Sequence, residues 1–103
     1  MYKNLRSWIK VPFKYKALVG RTGTGSKIFS DVVDELCYPV GEVEVITDST
    51  GNEVVSTKKL FVSNEVEISE LDKVIFENRE SDIKSIGYYY DEKGNVNLKV
   101  VYL

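Results

Sequence analysis

From residue 11 the chain alternates. Val11, Phe13, Tyr15, Ala17 and Val19 fall on one side, and Lys14 and Lys16 on the other. A period of two is that of a strand with one face buried. Pro12, which lacks an N–H, and the two lysines suit a strand at a sheet edge. Ahead of it, Leu5, Trp8 and Ile9 are spaced i, i+3, i+4 and predict one or two helical turns over residues 4–10. So short a helix is not stable alone and must dock on something.

After the first strand come three glycines in eight residues, Gly20-Arg21-Thr22-Gly23-Thr24-Gly25-Ser26-Lys27, which predicts a loop. A single helical turn is expected near Ser30–Asp34. Strands are then predicted at Glu35–Tyr38 and Glu42–Thr47 around Pro39-Val40-Gly41. The next is Glu53–Phe61, after a turn at Asp48-Ser49-Thr50-Gly51-Asn52. A polar break at Ser63-Asn64 leads to Val66 and Ile68. Strands Lys73–Glu77 and Asp82–Tyr90 follow. A hairpin loop at Asp91-Glu92-Lys93-Gly94-Asn95 then enters a last strand, where Val96, Leu98, Val100 and Tyr102 alternate. Seven or so short strands of this composition predict an all-β fold, a small antiparallel barrel or sandwich.

Size permits one such unit. A chain of 103 residues has the length of one domain, and 43% hydrophobic with 29% charged content is that of a globular protein. With no repeat or linker in sight, the expected division is an arm over 1–10 and a single β domain over 11–103. No apolar run approaches the ~20 residues that cross a bilayer, and residues 1–10 lack the apolar core of a signal peptide. No membrane association is expected. The lone Cys37 fits a reducing compartment, so folding in a cytoplasm is expected.

Net charge is −2, but the charges are segregated. Residues 1–30 hold seven basic side chains (Lys3, Arg6, Lys10, Lys14, Lys16, Arg21, Lys27) and no acidic one. Residues 31–103 hold seven basic and all sixteen acidic residues, a net −9. Three readings follow: a basic arm for an acidic partner or nucleic acid, complementary faces on neighbouring copies, or pairing of the two ends within one chain.

The chemistry of an enzyme is not visible. Without histidine there is no Ser-His or Cys-His pair and no histidine metal site, and one cysteine cannot build a zinc site. Cys37 reads as a small core residue. Glu42 and Glu44 alternate along a strand and read as its solvated face. The glycine loop departs from a phosphate-binding loop, because Ser26 stands between Gly25 and Lys27 and no long helix follows. Tyr88-Tyr89-Tyr90 has only Lys84 and Lys93 as basic neighbours and runs into Asp91 and Glu92, so packing explains it better than base stacking. The expectation is a protein that is not an enzyme, with no cofactor and no metal.

From Val54 onward the order of elements resembles a known family. Glu53-Val54-Val55-Ser56, Leu60-Phe61-Val62, Leu71-Asp72-Lys73-Val74, Ile83 to Ile86, Tyr88 to Asp91, Gly94 and Val101-Tyr102-Leu103 are similar in order and spacing to the head-completion, or stopper, proteins of siphophage head–tail connectors, which are also described as minor capsid proteins. Ile28-Phe29, Cys37-Tyr38 and Gly51 fit the same pattern, so the resemblance covers about residues 11–103.

The resemblance implies a small antiparallel β-barrel with a long early loop, assembled as a homo-oligomeric ring in the virion. Such a ring stacks on the portal and adaptor rings after packaging, closes the DNA exit channel and offers a surface to tail proteins. Genomic DNA lies near the channel without sequence-specific binding, and assembly takes place in the bacterial cytoplasm. In that family an early loop points into the channel. The matching stretch is about Gly20–Asp34, and Arg21, Thr22, Gly23, Thr24, Gly25, Ser26 and Lys27 are its candidate channel or inter-subunit residues. Leu5, Trp8 and Ile9 are candidate partner contacts, with Trp8 capping the core as the other reading. Two further functions stay open: a nucleic-acid-binding barrel with residues 1–30 as its basic arm, and a tail-terminator or tail-completion protein.

Overall fold

The computed structural model describes residues 8–48 and 50–103. Among them there are nine strands and no helix. The strands are β1 (Val11–Lys16), β2 (Leu18–Arg21), β3 (Lys27–Phe29), β4 (Val33–Thr47), β5 (Glu53–Ser63), β6 (Lys73–Phe76), β7 (Arg79–Asp82), β8 (Ser85–Tyr90) and β9 (Val96–Tyr102). Seven form one antiparallel sheet in the order β7-β6-β1-β4-β5-β9-β8, and β2 and β3 form a separate hairpin.

Alternation decides which face is buried. Directly opposite residues share a face, so the pairing of Leu60 with Val101, and of Val101 with Ile86, puts all three on one side. That side is the core: Phe13, Tyr15, Cys37, Leu60, Val62, Val74, Phe76, Ile86 and Val101, with Ile83 from the β7–β8 link. Val66 and Ile68, which belong to no strand, fold into the same cluster. Their segment is fastened by Asp72, the only buried carboxylate among the described residues. Its Oδ1 accepts from Leu18 N (2.9 Å) and Ser69 Oγ (3.1 Å), and its Oδ2 from Ser69 N (2.8 Å).

Several expectations need correction. The sheet curls around its core, but the hydrogen-bonded closure of a barrel is not found: β7 and β8, its two ends, are joined only through Ile83-Lys84. Those two residues carry no turn chemistry that would fold β7 and β8 into a hairpin. Instead Ile83 enters the core and Lys84 N donates to Tyr102 O, committing the chain to β9. The helical turn expected over residues 4–10 lies largely outside the described residues, and Trp8–Lys10 lead into β1 without a helix. The turn expected at Ser30–Asp34 is not helical either, because β4 starts at Val33 and pairs there with Tyr15 of β1.

The strand expected over 11–19 is split at Ala17. Ser30 takes over Ala17's backbone groups: Ala17 N donates to Ser30 Oγ (3.0 Å), and Ser30 N donates to Ala17 O (2.8 Å). This staple turns Leu18 into the β2–β3 hairpin. Val11–Lys16 is also no edge strand, since β4 and β6 flank it. The break expected after Lys73–Glu77 is a two-residue turn, Glu77-Asn78, where both residues have positive φ (52° and 62°) and lead into β7, a strand not foreseen, and the strand expected over Asp82–Tyr90 is broken at Ile83-Lys84.

Candidate interaction surfaces

Three features stand out from the curled sheet. The first is the β2–β3 hairpin, which carries the glycine loop. Arg21 and Lys27 are directly paired where the two strands meet the tip. The tip is a hydrogen-bonded turn: Thr22 N donates to Ser26 O (2.8 Å), Gly25 N to Thr22 O (2.9 Å) and Ser26 N to Thr22 Oγ1 (3.1 Å). Thr22 and Thr24 hydroxyls lie 2.9 Å apart, and Arg21 Nη1 reaches Gly25 O (3.3 Å). Gly25 has φ +89°, which L side chains rarely adopt. Arg21 to Lys27 are thus brought together, all exposed, on a preformed turn.

The second is a ribbon. β1 covers β4 only over residues 33–37, and β9 covers β5 only over 59–63. Beyond them, residues 44–47 and 53–56 pair only with each other and run out as a two-stranded arm. Its tip is fixed by Asp48, whose Oδ1 accepts from Thr50 N, Asn52 N and Thr50 Oγ1. The bond from the Thr50 side chain, then that from Asn52 N, holds this carboxyl below its ordinary pKa. Val45 lies opposite Val55, so the two share a face with Val43. These valines are 65%, 50% and 74% exposed, an apolar surface that packing within this chain leaves uncovered.

The third is a row of rings on the outer face. Tyr38 lies opposite Phe61, and Phe61 opposite Val100. Trp8 meets Tyr38 edge-on with centroids 5.4 Å apart, Tyr38 is 6.0 Å from Phe61, and Phe61 stacks at 6.1 Å on Tyr89. Leu98 and Val100 are fully buried yet stand outside the inner core cluster, so this face carries an apolar layer of its own. Lys59 borders it, 5.8 Å from the Phe61 ring centroid and bound to Glu42 (3.3 Å) and Glu44 (3.2 Å). Burial opposes the Lys59 charge, but the two carboxylates outweigh it and its pKa is raised. Glu42 and Glu44, expected as a plain solvated face, are therefore partners of a lysine.

Among the candidate contact residues, Trp8 ends the row and is 53% exposed, and half-buried Ile9 lines a small hollow with Glu35, Leu36, Ser63 and Val66. Leu5 lies outside the described residues. Trp8 and Ile9 therefore rest on this domain while Trp8 keeps half its surface free. Cys37 is fully buried, and desolvation pushes its thiol up to about 12. Segregated charge is partly consumed within the chain, since Lys14 pairs with Asp34 (3.9 Å) and Lys16 with Glu80 (2.7 Å). Lys10, Arg21 and Lys27 have no ion pair among the described residues.

No three His, Cys, Asp or Glu side chains are grouped to hold a metal among the described residues. Asp72, the one buried carboxylate there, has its oxygens occupied by structural hydrogen bonds. A hollow of about 390 Å³ lies along the unclosed seam, lined by Lys58, Phe76, Arg79, Asp82 and Lys84 among others. Lys58 there is tied to Glu77 (2.9 Å) and Lys84 Nζ to Val55 O (2.5 Å). Among the described residues no helix is long and apolar enough to cross a membrane. In comparison with known proteins, no family model and no curated protein matches this chain.

Proposed function

We propose that this chain is a structural subunit of a tailed-phage head–tail connector. It forms a ring that closes the DNA exit channel after packaging and gives the tail its attachment surface. The observation that carries a role in assembly is the projecting β4–β5 ribbon, whose Val43, Val45 and Val55 stay in solvent. Burying such a face is favourable at roughly 25 cal/mol per Å² of apolar surface, and contact with another protein is the way to bury it. The assignment to a connector rests on the ordered resemblance running from Ile28-Phe29 to Val101-Tyr102-Leu103.

Other features support the same reading. A cyclic ring needs two different faces on each subunit, and the ribbon and the β2–β3 hairpin are two unlike projections. Arg21 to Lys27 at the tip of the hairpin are the candidate channel or inter-subunit contact, and half-exposed Trp8 with Ile9 is the candidate contact with an adaptor or tail protein. Internal pairing of Lys14 and Lys16 leaves less charge for a nucleic-acid arm, which favours the connector over the DNA-binding alternative.

Deleting the coding sequence from the phage genome that carries it tests the proposal. DNA-filled heads without tails, which leak DNA and are rescued by added protein, are the expected result. Normal tailed particles overturn it. Heads accompanied by tails of uncontrolled length show a tail terminator instead.

A further inference from the structure

The two ends of the seven-stranded sheet are unlike. β7 reads Arg79-Glu80-Ser81-Asp82: four residues, three of them charged, with Glu80 held by Lys16 and Lys73 and Asp82 by Lys73. Short, charged strands are how proteins keep a sheet edge from pairing. β8 reads Ser85-Ile86-Gly87-Tyr88-Tyr89-Tyr90: six residues, no charge and no proline. Among the described residues it pairs with β9 alone. Its other side presents unpaired backbone donors and acceptors at every second residue, the template that strand addition uses. Tyr88 and Tyr90 are 47% and 57% exposed beside it.

The strand is complementary to itself. Two copies placed antiparallel about a two-fold axis keep their cores on the same side only if directly opposite residues have the same parity. Centred on Tyr88, the register sets Tyr88 opposite Tyr88, Ile86 opposite Tyr90 and Gly87 opposite Tyr89, so all of Ile86–Tyr90 is paired. Tyr–Tyr and Ile–Tyr are favourable cross-strand pairs, and Gly87 brings no side chain against the Tyr89 ring. Centring on Gly87 instead would set Gly87 opposite Gly87 and lose the pair of Tyr88 with its own copy.

We propose that the β8 edge is a self-pairing site, through which two copies of this chain join as an antiparallel, two-fold dimer centred on Tyr88. This goes beyond the connector reading and does not depend on it: a ring uses unlike faces, whereas this contact is isologous. In the free chain it covers the one unprotected edge of the sheet.

Sedimentation and disulfide trapping test it on the full chain. A contact this small should dissociate on the order of 0.1 mM or tighter. Tyr88→Cys meets its own copy at the axis, where opposed Cα atoms about 4.5–5.5 Å apart suit a disulfide, so mild oxidation should give a covalent dimer. Tyr88→Lys should give a monomer with unchanged β-sheet circular dichroism. A wild-type chain that stays monomeric near 0.5 mM, a Tyr88→Cys chain that does not cross-link, or a Tyr88→Lys chain that still dimerises each overturns the proposal.

Discussion

Replacing Asp72 by Asn keeps the shape of the side chain and removes one acceptor oxygen. In the native chain, three donors converge on that carboxylate: Leu18 N, Ser69 N and Ser69 Oγ, at 2.8–3.1 Å. An amide has one oxygen and one NH2, so whichever way it is turned, at least one of the two backbone N–H groups faces a donor. Leaving a backbone N–H unsatisfied costs roughly 1–3 kcal/mol, and the remaining bonds lose their charge assistance. A loss of about 2–4 kcal/mol is expected, because Asp72 ties the start of β2 to the segment that carries Val66 and Ile68 into the core. At an m value of about 1–1.5 kcal/mol/M, the urea midpoint should fall by about 2 M with m unchanged. Ser69→Ala removes only the hydroxyl bond and should cost about 1 kcal/mol. An Asp72→Asn midpoint within about 0.5 M of wild type would refute the reasoning that this carboxylate is a structural clamp.

Other perturbations probe the remaining features. Trp8→Ala removes a side chain that is 53% exposed and in edge contact with Tyr38, so stability should fall by only about 1–2 kcal/mol while assembly onto heads fails; a loss above about 3 kcal/mol with assembly intact returns Trp8 to the core. Asn78→Gly relieves a φ of +62° and should stabilise by about 0.5–1 kcal/mol in urea unfolding; a destabilised variant contradicts the turn geometry. The folded chain holds the Cys37 proton more tightly than the unfolded one, so this contribution to stability is whole below pH 9 and is lost as pH rises from about 9 to about 12. Tyr15 and Tyr102, also raised by burial, act in the same direction. Urea midpoints should fall between pH 8 and 10.5, less so in Cys37→Ala, and native Cys37 should resist thiol reagents; rapid labelling at neutral pH would contradict its burial.

What the sequence made legible is what local chemistry controls. Asp48-Ser49-Thr50-Gly51-Asn52 and Asp91-Glu92-Lys93-Gly94-Asn95 share the pattern Asp-x-x-Gly-Asn. Both are turns in which the Asp Oδ1 accepts from the Asn N–H and the Gly takes φ near +85°. The alternation in Val96–Tyr102 is visible in the same way. The return strand β7 is not, because neither Glu77 nor Asn78 is a glycine and their left-handed backbone is imposed by pairing of β6 with β7. The break at Ala17 is equally hidden, since its cause is Ser30, thirteen residues away. Barrel closure depends on which strands become neighbours: Ile83-Lys84 lack the chemistry of a hairpin turn, but that β8 then pairs with β9 alone is decided by residues far away in the chain. Among the site residues, the exposed glycine loop was readable from composition. The valines of the ribbon were not, because alternation marks a buried face and a solvent-facing apolar face alike.

Electron cryomicroscopy of purified virions tests the central claim most directly. The account predicts a ring of this chain's curled sheet at the joint between portal and tail, with ribbon valines Val43, Val45 and Val55 covered by a neighbouring subunit. Particles that contain the protein elsewhere, or none of it, or a ring in which those valines stay in solvent, would contradict it.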